Sequence, residues 1–377
     1  MTTTTTAAAI EQRLAFCTLG MFIIDEIEYI NGKAREQSII GGAGTYAALG
    51  ARLAAGGHQA KYVSWIVDMG SDFPSELKDV IDSWQTSCIF RRDLNRLTTR
   101  AWNGYGPNEY RAFKYLTPKL RLEENSLSDE QVLARAFHMV CSAARCISLV
   151  QGIMARRRQL AMDEPRPVFV WEPVPDLCTP EELERLREAT AHVDVVSPNA
   201  DEFAAFFTST PEHADREAAV EYLLRSRDAQ GQARPLKTAL VIREGAHGCT
   251  TYLGPSHLHL HAYHQRSERV LDPTGGGNTF LGALAIALTG TASPGEGIPE
   301  LLSVPQSIFQ PQKLLFALLH ATVAASYAIE QTGMPTLSDS DPDSWNGDPY
   351  SHRFLAYWGR EKAHVVGQLS RQLLSDT

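Results

Sequence analysis

The stretch Leu271-Asp272-Pro273-Thr274-Gly275-Gly276-Gly277-Asn278-Thr279-Phe280 sets three consecutive glycines before an apolar run, Phe280 to Leu288. With no Cβ in the way, glycine backbone can close up on a ligand. A helix starting there aims its unpaired N–H groups and the positive end of its dipole at the same spot. That combination is an anion site, and phosphate is the anion most often held by one. The loop closes on Asn278, whose amide oxygen accepts hydrogen bonds but takes no proton near neutral pH.

Other residues with chemical potential are scattered along the chain. Ile39-Ile40-Gly41-Gly42-Ala43-Gly44-Thr45-Tyr46 is a second glycine-rich entry to a helix, Ala47 to Ala55. It has neither the GxGxxG spacing nor the Gly-Lys-Ser/Thr ending of a P-loop. Asp25 follows the apolar run Leu14–Ile24, at the carboxyl end of an expected strand, where open α/β sheets place ligands. A turn aspartate explains it equally well. Glu172 ends another strand and divides in the same way between a metal or phosphate network and a cap. His261, His264 and Glu268 precede the glycine loop and could reach it, although exposed strand and turn positions explain them more simply. His247 sits in the turn Gly245-Ala246-His247-Gly248, where a turn histidine is again the simpler account.

The elements needed to position these groups follow from periodicity. Strands are expected at 14–24, 61–67, 136–141, 167–171, 193–197, 237–243 and 249–253. Helices are expected at 47–55, 75–84, 147–161, 180–189, after Pro198-Asn199-Ala200-Asp201-Glu202, at 280–288, 314–330 and 352–374, with a long loop at 334–350. This alternation implies an α/β fold: a mostly parallel central sheet with helices on both faces. Between Cys88 and Leu116 the pattern becomes a hairpin around Gly104-Tyr105-Gly106-Pro107-Asn108. That implies a small β-sheet lid, with strands drawn from about 23–40 and 88–116. Arg100, Asn103, Tyr105 and Arg111 could face a substrate there or simply be exposed.

Composition narrows the functional classes. The 377 residues carry 35 basic and 44 acidic side chains, a formal charge of −9, which disfavours nucleic acid or an anionic membrane as partner. Six cysteines without a CxxC pair fit buried, reduced thiols in a cytoplasmic protein. Residues 1–13 read as a disordered tail without the features of a signal peptide, and 14–377 as a single domain. The stretch 314–330 is interrupted by His320, Ser326 and Tyr327 and reads as a packed helix instead of a membrane span.

Taken in order, the motifs resemble those of the PfkB/ribokinase family of carbohydrate and nucleoside kinases, over roughly residues 14–329. The late family signature Asp-Thr-x-Gly-Ala-Gly-Asp is similar to Asp272–Asn278, and the early Gly-Gly signature to Gly41–Tyr46. The family's Asn-x-x-Glu is matched by Asn199–Glu202, and its Gly-x-x-Gly turn by Gly245–Gly248. The strand-end Asp falls on Asp25. The wording Asp-Pro-Thr-Gly-Gly-Gly-Asn is most similar to a fungal branch that includes the yeast killer-maintenance protein.

The resemblance implies a three-layer ribokinase-like fold and a phosphotransferase using ATP and Mg2+ on a hydroxyl of a small sugar-like or nucleoside-like substrate. It implies Gly275, Gly276, Gly277 and residue 278 as the catalytic loop. Asn199, Glu202, Gly245, Gly248, Asp272 and Thr274 would serve the nucleotide, and Asn199 and Glu202 would hold Mg2+ mainly through water. Asp25, Gly41, Gly42, Tyr46 and Arg100 would serve the substrate, and pairing of two copies through the lid is a family habit. The chain departs from the pattern at three places. Asn278 replaces the Asp that acts as general base, a loss worth about 10²–10⁴ in rate. Tyr46 replaces a substrate-contacting Asn, which narrows the pocket or adds a stacking face. Gly276 replaces Ala, a mild change. Three functions are therefore expected from this sequence: a weak or atypical kinase, a degenerate nucleotide-binding regulatory protein (a pseudokinase), or a non-kinase enzyme reusing the pocket.

Overall fold

In the computed structural model, which describes residues 13–29, 35–105, 111–161, 164–209, 215–227, 233–235, 237–295 and 312–375, the first apolar run divides in two. Phe16–Thr18 (β1) belongs to a large sheet, whereas Ile23–Tyr29 (β2) belongs to a smaller one. The expected single strand 14–24 is thus corrected, and Asp25 lies inside β2 instead of at a strand end. The cause is Gly20. A Cβ there would stand 2.5 Å from the Gly44 nitrogen, so only glycine lets the chain turn this close to the following helix.

The remaining strands are Glu36–Gly41 (β3), Val63–Met69 (β4), Ser87–Arg92 (β5), Arg100–Tyr105 (β6), Arg111–Tyr115 (β7), Ala136–Cys141 (β8), Val168–Pro173 (β9) and Val195–Val196 (β10). After a short hairpin of Arg225–Arg227 (β11) and Ala233–Pro235 (β12) come Ala239–Arg243 (β13), Cys249–Leu253 (β14) and Ser256–Leu260 (β15). The central sheet has nine strands in the order β15-β14-β13-β10-β9-β8-β1-β4-β5. It is parallel except where β14 and β15 return antiparallel at one edge. The lid has the order β3-β2-β6-β7, parallel between β2 and β6 and antiparallel in its outer pairs. β5 lies within the span expected for the lid, yet it pairs with β4 at the edge of the central sheet. Strand alternation shows that a segment is extended but not which sheet receives it.

The main helices are Ala43–Ala55 (α1), Ser75–Ser83 (α2), Ala143–Leu160 (α3), Leu183–Thr190 (α4), Ala200–Phe206 (α5), Arg216–Leu224 (α6), Gly276–Ala287 (α7), Gln312–Ala328 (α8) and Tyr350–Ser375 (α9). One face of the central sheet carries a core that includes Leu49, Leu53, Leu281, Leu284, Leu318 and Phe354. The other face carries Leu149, Ile153, Leu186, Phe203 and Leu223. Helices thus cover both faces, as a parallel sheet requires.

α1 and α7 cross almost backbone to backbone. A Cβ on Gly50 would lie 1.9 Å from the Thr279 carbonyl oxygen, and one on Gly282 would lie 1.9 Å from that of Ala47. This crossing sets the beginnings of both glycine-led helices side by side. The loop expected at 334–350 includes a small hairpin, Ser344–Trp345 with Asp348–Pro349, which buries Trp345. The six cysteines are free thiols. Among the described residues, no helix is long and apolar enough to cross a membrane. The tail expected at 1–13 falls, except for Arg13, outside the described residues.

Candidate active site

α7 begins at Gly276, four residues before the expected start, with Gly275 as its N-cap at φ 79°. That left-handed conformation costs an ordinary L-residue about 1–2 kcal/mol. The first bond of the helix runs from the Thr279 N–H to the Gly275 carbonyl (2.9 Å), while the Gly276 N–H turns back to Pro273 (3.2 Å). The N–H groups of Gly277 and Asn278 are left without acceptors among the described residues. Asp272 Oδ1 accepts from the Thr274 N–H at 2.9 Å and shapes the approach to the helix. The backbone therefore has the form of an anion cradle.

Two side chains press on the cradle. A Cβ at Gly275 would fall 2.2 Å from the Tyr46 ring, so Tyr46 lies buried directly against the loop. A Cβ at Gly277 would fall 1.9 Å from Arg243 Nη1. Arg243 ends β13, and its Nη2 donates to Glu172 Oε1 (2.6 Å), the Ser197 carbonyl (3.1 Å) and Glu202 Oε2 (3.5 Å). A fixed guanidinium thus adds full positive charge where the helix dipole is already positive. Only the two carboxylates on its other side make that arrangement tolerable. Arg243 lies outside the glycine-rich and Asn-x-x-Glu motifs. Its signal was a charged residue at the carboxyl end of an apolar strand.

Asn199 and Glu202 form a reciprocal cap on α5. Asn199 Oδ1 accepts from the Glu202 N–H (2.8 Å), and Glu202 Oε2 accepts from the Asn199 N–H (2.7 Å). Asn199 is therefore a positioning residue for Glu202. Burial raises the proton affinity of Glu202, and the nearby Glu172 charge adds to this, while Arg243 and the Asn199 N–H act against it. Glu172 Oε2 is buried without a partner among the described residues. An oxygen in that state suits a cation such as Mg2+, which takes one or two carboxylates and keeps its other positions for water or phosphate.

On the lid side, Asp25 is 8% exposed and its Oδ1 has no hydrogen-bond partner among the described residues. Burial pushes its carboxyl up to about 7, opposed by a hydrogen bond from Asn103 and reinforced by the charge of Asp272. Gly41 leaves room for the Asp25 carboxyl, since a Cβ there would lie 1.9 Å from Asp25 Oδ2. Gly42 is the N-cap of α1, at φ 92°. Arg100 is bound by Asp72 (Nε to Oδ2, 2.6 Å) and faces Glu26 (3.7 Å), so its guanidinium is committed to carboxylates of the protein itself. The side chains of Tyr105 and Arg111 lie outside the described residues.

A cleft of about 310 Å³ opens beside the cradle, lined among others by Gly276, Gly277, Arg243, Gly245 and Gly248. Its walls also include Phe280, Ala325, Ile329 and Val270. A largely apolar slot bordered by such a cradle has room for a flat ring carrying phosphates. Of the three residues that could reach the glycine loop, two are paired with carboxylates. His261 Nδ1 pairs with Glu361 (3.0 Å) and His264 Nε2 with Glu330 (3.1 Å), while Glu268 lies beside a separate surface hollow. The Asn278 Oδ1 is buried and has no partner among the described residues.

The sequence pattern described as pfkB family carbohydrate kinase matches residues 170–306. Protein MAK32 of Saccharomyces cerevisiae is 33% identical over 364 residues, which cover 92% of this chain and 93% of that protein. Among solved structures, ribokinase from Giardia lamblia superposes with a TM-score of 0.64 at 16% identity, covering 92% of this chain and 99% of that one. Adenosine kinase from Schistosoma mansoni, in complex with 2-fluoroadenosine, gives 0.61 at 14% identity, covering 87% and 98%. A putative ribokinase II from E. coli, in complex with ATP and Mg2+, gives 0.57 at 16% identity, covering 84% and 93%. The ribokinase-like fold and the likeness to a fungal branch both agree with the sequence reading.

Proposed function

The chain belongs to the pfkB family of carbohydrate kinases, and from that premise we propose that it is an atypical ATP-dependent phosphotransferase acting on a hydroxyl of a small sugar-like or nucleoside-like molecule. The observation that carries this reading is the cradle. Gly277 and Asn278 present N–H groups without acceptors among the described residues, at a helix start that lines a ring-sized cleft.

The geometry supports the following roles. The cleft holds the adenine nucleotide, with the turn Gly245–Gly248 in its lining. The cradle N–H groups and the Arg243 fork bind phosphoryl oxygens, and a guanidinium matches that geometry. Arg243 already lies against Gly277, so little reorganisation is needed when charge develops there. Glu172 and Glu202 are the carboxylates that would hold Mg2+, with Asn199 steadying Glu202. When bound, the ion neutralises phosphate charge. Asp25 orients the substrate hydroxyl through its unpaired Oδ1, and closure of the lid excludes water. Tyr46 occupies space against the loop, which leaves a smaller substrate pocket than an Asn would.

Position 278 limits the rate, because an amide cannot accept the hydroxyl proton. Positioning and charge stabilisation supply most of the catalysis in phosphoryl transfer, so slow turnover survives. A second reading, a nucleotide-binding regulatory protein without turnover, is favoured by one observation: the Asn278 Oδ1 is buried and has no partner among the described residues. The two readings are separated by assaying ADP release with a panel of sugars and nucleosides. The first predicts slow turnover that rises about 10²–10⁴-fold in Asn278→Asp. The second predicts none in either protein.

A further inference from the structure

Away from the cradle, the edge strand β15 carries alternating histidines that meet the last helix. One ring nitrogen from each of His259, His261 and His364 lies within 4.8 Å of the others. His259 Nδ1 and His364 Nε2 are 3.5 Å apart. Four tetrahedral ligands with zinc–nitrogen bonds of about 2.0–2.1 Å stand about 3.3 Å from one another, so this pair already has nearly the required spacing. We propose that His259, His261 and His364 form a binding site for a divalent transition-metal ion of the zinc class.

The surroundings of these rings favour ligation over mere proximity. His259 Nε2 faces the His247 carbonyl oxygen at 2.9 Å. Donation to that oxygen leaves Nδ1, the nitrogen turned toward His364, with a free lone pair. His261 Nδ1 faces Glu361 Oε2 at 3.0 Å, the carboxylate–imidazole pairing that fixes the tautomer of ligating histidines. Glu361 is 1% exposed and its other oxygen accepts from Arg360 (3.1 Å), so its orientation is set before any ion arrives.

The backbone is fixed as well. Gln368 bonds both the N–H and the carbonyl of His259 (2.9 and 2.8 Å), and the Tyr357 hydroxyl donates to the His261 carbonyl (2.6 Å). Strand and helix are thus held in register across about a hundred residues of chain. A hollow of about 280 Å³ lined by His247, His259, His261 and Gln265 borders two of the three rings, and a water can fill the fourth position of a tetrahedral site. Three imidazoles without a thiolate select Zn2+, Ni2+, Co2+ or Cu2+ over Mg2+ or Ca2+. The proposal rests on these histidines alone and does not depend on the kinase reading.

The test uses the full-length, tag-free protein stripped with a chelator, titrated with Zn2+ by calorimetry and with Co2+ by visible absorption. One ion per chain is expected, with the ligand-field bands of four- or five-coordinate cobalt. His259→Ala and His364→Ala should each abolish those bands and lower Zn2+ affinity at least tenfold. Glu361→Gln should lower it about 10–100-fold while keeping a cobalt spectrum. His58→Ala, at an exposed histidine elsewhere, should change nothing. His259→Gln replaces His259→Ala if the latter does not fold. Absence of stoichiometric binding by the wild type, or unaltered affinity and spectrum in the histidine variants, would overturn the proposal.

Discussion

Asp25→Asn should stabilise the ligand-free protein, and more so at higher pH. Asp25 is buried, one of its oxygens has no partner among the described residues and Asp272 repels its charge, so its carboxyl is raised to about 7. In the unfolded chain it ionises near 4. A group whose pKa is raised on folding contributes stability that is fully present below the unfolded value and is lost as pH rises toward the folded one. Between pH 5.5 and pH 7 the unfolded chain is ionised while the folded one still holds its proton. Each pH unit there lowers stability by about 1.4 kcal/mol, and the loss levels off above pH 7. From pH 5.5 to 8 the wild type should thus lose about 2 kcal/mol relative to Asp25→Asn, which cannot ionise. Urea unfolding of both proteins at the two pH values measures this difference. The same substitution should abolish substrate turnover, so stability would rise as function falls. An equal stability difference at both pH values would refute the reasoning.

The remaining predictions concern the cradle and its neighbours. Gly275→Ala should cost roughly 2–4 kcal/mol in urea unfolding, from left-handed strain plus overlap with the Tyr46 ring. Gly359→Ala, in α9 with open space around it, should be neutral or stabilise by about 0.5–1 kcal/mol. Arg243→Met should destabilise by about 3–5 kcal/mol at pH 7.5, because it leaves Glu172 and Glu202 buried without their cation. That loss should shrink toward pH 5, and equal losses at both pH values would count against the ion-pair account. Glu330 is held down to about 2: burial alone would raise it, but hydrogen bonds from His264, Arg353 and Asn346 prevail. Its contribution to stability should be complete above about pH 4.5 and lost as pH falls toward 2, so Glu330→Gln should flatten the acid limb of the unfolding profile.

Much of the site was legible because its backbone chemistry is local. Three glycines before an apolar run announce an anion cradle whatever the tertiary structure, and Asn199 with Glu202 announce a helix start three residues apart. What could not be read depends on which strands become neighbours. Arg243 meets Glu172 only because β13, β10 and β9 lie side by side, joining residues 71 positions apart. The division of the first apolar run into β1 and β2 depends on Gly20 packing against Gly44, which periodicity does not reveal. β5 alternates like the lid strands yet joins the central sheet. The histidines of β15 look like exposed strand residues until α9 brings His364 and Glu361 to them. Arg100 was legible as a lid residue, but not its commitment to Asp72.

The central claim is that the cradle and cleft hold an adenine nucleotide. Calorimetric titration of the wild type and Asn278→Asp with ATP and ADP, with and without Mg2+, tests it most directly. The account predicts one nucleotide per chain in both proteins, with binding altered by Mg2+. Absence of nucleotide binding in both would contradict it.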